Sequence, residues 1–108
     1  MNLQQTSLEA FLDLLKTGKV NLRQYQILQI LKYHGPLTSN EICELTKTCQ
    51  HCKSILNQDE SGRGLPINCI TPRILELRRK FLVEEHGVRF DSVTKRRAIA
   101  WKASGRIP

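Results

Sequence analysis

The stretch Ile70-Thr71-Pro72-Arg73-Ile74-Leu75-Glu76-Leu77-Arg78-Arg79-Lys80-Phe81-Leu82-Val83-Glu84 decides how the chain reads. Thr71 offers a capping hydroxyl. Pro72 suits a first helical position, where its missing N–H would have had no partner. Ile74, Leu77 and Phe81 recur at helical spacing, which predicts an amphipathic helix over 70–81. Arg73, Glu76, Arg79 and Lys80 take the opposite side, with Arg78 at its margin. After Phe81 the apolar period shortens towards two. Leu82 to His86 and Arg97 to Trp101 read as the strands of a β-hairpin, and the segment between them ends in the basic run Lys95-Arg96-Arg97.

Charge gathers on this last third or so of the chain. From residue 70 onward ten basic residues stand against four acidic ones, which is +6 of the formal +7. An ordinary solvated face mixes its signs more evenly. With a pI near 9.6 the expected partner is polyanionic: nucleic acid first, an anionic membrane surface second. At 108 residues, 40% apolar and 25% charged, the chain reads as one folded domain. It has no signal-peptide pattern and no run long enough to span a bilayer. The expectation is a cytoplasmic protein with no membrane partner, nucleoid-associated when bound to DNA. Its four cysteines are then thiols or metal ligands rather than disulfides.

Towards the N-terminus the caps are plain. Thr6 or Ser7 can start a helix over 8–17 with Leu8, Phe11, Leu12 and Leu15 on one face and Gly18 as its stop. That stripe serves the core or pairs two copies of the chain as a homodimer. Asn21 can cap a central helix over Leu22 to His34, whose apolar set is Leu22, Tyr25, Ile27, Leu28, Ile30 and Leu31. Gly35-Pro36 ends it. Thr38 and Glu41 have capping-box spacing, with Leu37 as a hydrophobic staple, Ile42 and Leu45 facing the core and Cys43 as a small buried thiol.

Gly35-Pro36-Leu37-Thr38-Ser39-Asn40-Glu41-Ile42-Cys43-Glu44-Leu45-Thr46 resembles the first helix of the helix-turn-helix in winged-helix proteins. Thr71 to Glu84 resembles their recognition helix running into the wing, and Arg96-Arg97-Ala98-Ile99-Ala100-Trp101-Lys102 is similar to the returning wing strand. The likeness covers about residues 22 to 103 and is greatest to small winged-helix proteins encoded by bacteria and bacteriophages, and to the DNA-binding cores of MarR-like repressors. It implies an α+β, mostly α fold: a winged helix-turn-helix with an extra N-terminal helix, first core helices over 22–46, an insertion, a recognition helix over 70–81 and a hairpin wing over 82–102. It also implies double-stranded DNA binding through the helix at 71–81 and the wing; transcription regulation is the expected role, and replication and excision use such domains too.

The chain departs from that pattern between its two motif helices. A turn of roughly three or four residues is usual there, whereas 47–69 intervenes, with a short helix expected over Thr48 to Leu56 and loop composition over Asn57 to Gly64. Cys49-Gln50-His51-Cys52 lies in this insertion. Free thiols in a structured loop are the leading reading. Zinc held by Cys49, Cys52 and Cys69, with Cys43 or His51 fourth, is the second, since a single C-x-x-C lacks the matching second pair of the strong zinc signature. A thiol switch comes third, and no cofactor is otherwise expected. His34 reads as a helix C-terminal residue rather than a ligand, and Trp101 as a core plug of the hairpin. No catalytic constellation stands out, so an enzyme is not expected.

On the DNA expectation, Thr71 and Arg73 reach base edges, Asn68 contacts DNA just ahead of the helix, and Glu76 adds selectivity by accepting from cytosine. Arg78, Arg79 and Lys80 touch phosphates, and Arg89, Lys95, Arg96 and Arg97 grip backbone or minor groove from the wing. The rival classes are a protein-docking module of a nucleic-acid assembly and a regulator responsive to zinc or thiol state.

Overall fold

The computed structural model describes residues 13–58 and 62–104. The fold is α+β, about half helical, with a small three-stranded antiparallel sheet. Residues 13–16 are helical. The elements then run α1 (Leu22–His34), β1 (Leu37–Thr38), α2 (Ser39–Thr48), α3 (Gln50–Ile55), α4 (Ile67–Arg79), β2 (Val83–Phe90) and β3 (Arg97–Ala103). The sheet order is β1-β3-β2. None of the described helices is long and apolar enough to cross a membrane.

The expected caps of α1 and α2 form. The Asn21 side chain accepts the Gln24 N–H at 2.8 Å, and the Gln24 side chain accepts the Asn21 N–H at 3.0 Å. Helix α1 is then buried almost all round, through Gln24, Tyr25, Gln26, Ile27, Leu28, Ile30 and Leu31. Leu22, which the periodicity assigns to the core, is 55% exposed. It lies in the first turn, outside the span that the other elements cover. Against α1 pack Ile42 of α2, Ile70, Ile74 and Leu77 of α4, and Leu82, Val83 and Trp101 of the hairpin. Trp101 is the expected core plug. Leu14 and the half-buried Leu15 join this core, while Leu8, Phe11 and Leu12 of the expected N-terminal helix lie outside the described residues.

The decisive stretch differs from its reading at both ends. Helix α4 begins at Ile67, four residues before Thr71, with Pro66 at the boundary and no side-chain cap. Thr71 is therefore not the N-cap, Asn68 and Cys69 belong to the first turn, and Pro72 lies inside the helix. A proline there forgoes one backbone bond to the carbonyl four residues back. That carbonyl belongs to Asn68, an exposed residue that water can reach. At the other end the helix stops at Arg79 and Phe81 takes φ +61°. The Phe81 N–H bonds Arg78 O at 3.0 Å and the Leu82 N–H bonds Leu77 O at 3.0 Å, a Schellman closure. Phe81 thus leaves the expected stripe and is 69% exposed, and Leu82 takes its place over Leu77.

The hairpin is longer than its sequence pattern suggests. Glu85 pairs with Trp101 and Val88 with Ile99, so His86 and Gly87 together oppose one residue. This bulge places Gly87 at φ +84°, a conformation that a residue without Cβ adopts freely. The strand β1 is an addition that no sequence signal announces, pairing Leu37 with Trp101 and Thr38 with Ala100.

Candidate functional site

Two faces and one cluster collect the chemistry-bearing residues. The buried face of α4 is Ile70, Ile74 and Leu77, so its solvent face carries Asn68, Thr71, Leu75 and Arg79 at three- and four-residue spacing. No side-chain hydrogen bond or ion pair engages Asn68, Thr71 or Arg79 among the described residues. The other charged residues of this helix are turned to their neighbours. Arg73 clasps Glu76 with 2.8 and 2.9 Å contacts, and Glu76 also accepts from the Gln24 amide at 2.7 Å. The Gln24 amide, opposed by partial burial and helped by Arg73 and Lys80, holds the Glu76 carboxyl below its ordinary range. Lys80 donates to Lys19 O at 2.6 Å and to the Gln24 side chain at 3.0 Å. Arg78 pairs with Glu85 at 3.0 Å and lies over the Trp101 ring.

The hairpin divides in the same way. Arg89 is engaged by Glu41 and by Pro36 O. Lys95, Arg96 and Arg97 are exposed at and beside the hairpin turn, and their side chains make no ion pair among the described residues. The next cation, Lys102, meets Glu84 at 3.2 Å. Val88, Phe90 and Ile99 share the opposite side of the pleat from Arg89 and are exposed.

The turn that carries the basic run is anchored to the start of α2. Buried Asp91 accepts the Val93 N–H at 2.7 Å and the Thr94 N–H at 3.3 Å, which shapes the turn. Its other oxygen accepts the Thr38 hydroxyl at 2.8 Å. Thr38 is the N-cap of α2, and its capping-box partner Glu41 accepts the Thr38 N–H, the Ser92 N–H and Arg89. Burial alone would push both carboxyls up. The N–H groups of Thr38 and Ser92, the Ser92 hydroxyl and Arg89 outweigh it at Glu41, and the partners of Asp91, including the Asn40 side chain, outweigh it there, so both are held below their ordinary range.

The cluster lies at the far end of α2. The His34 ring, at the end of α1, puts Nε2 3.2 Å from Cys52 Sγ and 3.7 Å from Cys49 Sγ. All three donor atoms lie within 4.8 Å of one another. Burial, with His51 adding, lowers the His34 pKa. Burial, then Cys49, pushes the Cys52 thiol up to about 12. Cys49 is held below its ordinary value chiefly by the Cys52 N–H, against some burial and with help from the Cys52 thiol and the His51 N–H. Of the zinc candidates read from the sequence, the fold brings Cys49 and Cys52 together, and Cys69, Cys43 and His51 stand outside this group. Cys69 sits in the first turn of α4, Cys43 donates to Leu65 O at 3.2 Å, and the His51 ring stacks on Tyr33 with centroids 3.8 Å apart. His34, set aside as a helix end, supplies the third donor. Its partners stand 15 and 18 residues away, too far for any local spacing to reveal. Comparison with family models, with characterised proteins and with solved structures gives no match.

Proposed function

We propose that this chain is a winged helix-turn-helix that binds double-stranded DNA as a small regulator of bacterial or bacteriophage type. The α1-β1-α2-α4-β2-β3 order, with β1-β3-β2 pairing and α3 between α2 and α4, is compatible with that reading. The observation that carries the DNA reading is the contrast among the cations. Arg73, Arg78, Arg89 and Lys102 each have a carboxylate partner, while Lys95, Arg96 and Arg97 at the wing turn have none among the described residues. Three adjacent exposed cations on a turn held by the Asp91 network form a preorganised phosphate grip.

In this reading the solvent face of α4 enters the major groove. Asn68 and Thr71 meet base edges, Leu75 meets a thymine methyl and Arg79 a phosphate. Arg73 reads a base only after leaving Glu76, so it acts in concert with that carboxylate. The test is anisotropy on a panel of duplexes. Neutralising Lys95, Arg96 and Arg97 together should weaken every duplex alike. Asn68→Ala and Thr71→Ala should instead change which duplex is preferred, by about 1–3 kcal/mol for each base-reading side chain removed. Equal effects of all these variants on all sequences would remove the groove-reading role of α4.

The exposed Val88, Phe90 and Ile99 favour a second reading, in which this face of the wing docks on a protein of a nucleic-acid assembly.

A further inference from the structure

We propose that His34, Cys49 and Cys52 form a zinc site that fastens the end of α1 to the corner between α2 and α3. Three donors converge from two places in the chain, and no other group of three or more among the described residues does so. The two nitrogen-to-sulfur edges have the dimensions of a filled site. With Zn–N of about 2.0–2.1 Å and Zn–S of about 2.3 Å, a tetrahedral angle sets N and S roughly 3.6 Å apart. The two observed N···S separations, 3.2 and 3.7 Å, bracket that edge.

The other cysteines show what a merely packed thiol looks like in this fold. Cys43 has one carbonyl for a partner, and Cys69 joins no such cluster among the described residues. By contrast, Cys49 and Cys52 both turn their sulfurs to one imidazole nitrogen. Imidazole with two thiolates is a soft donor set that suits Zn²⁺ over Mg²⁺ or Ca²⁺. Two thiolates also balance the ion's double charge, which lessens the cost of its half-buried position. Binding releases the protons of both thiols to solvent, and each sulfur's lone pair replaces its S–H bond with a bond to zinc. His34 and Cys49 are only half-buried, so water completes the fourth position.

The site is independent of the DNA reading, and each can fail alone. The test uses the full chain, stripped of metal and titrated with Zn²⁺ against a chromogenic chelator, then with Co²⁺ followed by absorbance. A single ion per chain is expected, with thiolate-to-cobalt charge-transfer absorption. His34→Ala and Cys49→Ser should each weaken zinc at least about 10–100-fold, since outer-shell partners alone are worth that much. Cys43→Ser and Cys69→Ser should leave the affinity unchanged. Circular dichroism checks that each variant folds, and His34→Gln replaces His34→Ala should that variant unfold. Zinc should also raise the thermal midpoint of the native chain and not that of the His34 variant. No uptake of Zn²⁺, uptake that survives loss of His34, or uptake that depends on Cys69 would overturn the proposal.

Discussion

Gly64 shows how a single residue fixes the insertion. It has φ +69°, and a Cβ there would lie 2.6 Å from the Thr46 hydroxyl and 2.7 Å from the Thr46 carbonyl. The backbone can rest on α2 only because nothing projects. Gln58 then brackets Gly64, accepting its N–H at 2.9 Å, and the Leu65 N–H donates to the Thr46 hydroxyl at 3.0 Å. Gly64→Ala brings both a left-handed penalty and a clash with backbone, so it should cost about 2 kcal/mol or more. Urea unfolding measures this, and a cost under about 0.5 kcal/mol would mean the loop does not rest on α2 as described. Phe81 holds a similar left-handed φ with a bulky exposed ring, in a position glycine usually takes. The sequence gives no sign of that conformation, because Phe81 also fits the helical period of Ile74 and Leu77.

Between elements, the link that matters is the one joining α2 to the hairpin turn. Asp91 and Glu41 are both held below their ordinary range in the fold. Their stabilisation is therefore complete above the unfolded carboxylate values, about 4, and is lost as pH falls through the lower folded-state values. Thermal midpoints should drop over that acid window, and Asp91→Asn should flatten the drop while lowering stability at neutral pH. An unchanged acid profile in Asp91→Asn would assign the acid sensitivity elsewhere. This link is half legible in the sequence. The capping box of Thr38 and Glu41 is a local spacing, and so is the Asn21 cap, and both form as read. That the same two side chains also hold Asp91, Ser92 and Arg89 depends on a contact across some fifty residues, which no local pattern carries. The start of α4 departs from its local signal for a different reason. Thr71-Pro72 is a sound start, yet the buried Leu65 and Ile70 set the helix going earlier from Pro66. The His34–Cys49–Cys52 cluster is likewise tertiary, although its C-x-x-C half is visible in the sequence.

At the scale of the molecule, the excess charge is sorted rather than spread. Carboxylates from α2, α4 and β2 take up four cations, and Lys80 is occupied with backbone and amide oxygens. What remains exposed and unpaired among the described residues of α4 and the hairpin is Arg79, Lys95, Arg96 and Arg97. A protein using about four phosphate contacts releases that many counterions, so log K should fall against log salt with a slope near −3.5. The most direct measurement is anisotropy of a mixed-sequence duplex titrated with the full chain at several salt concentrations. A slope close to that value is predicted for a monomer, roughly doubled for a dimer on one duplex, and sharply reduced when Lys95, Arg96 and Arg97 are neutralised. No binding at low salt, or binding whose slope ignores those three residues, would contradict the DNA reading.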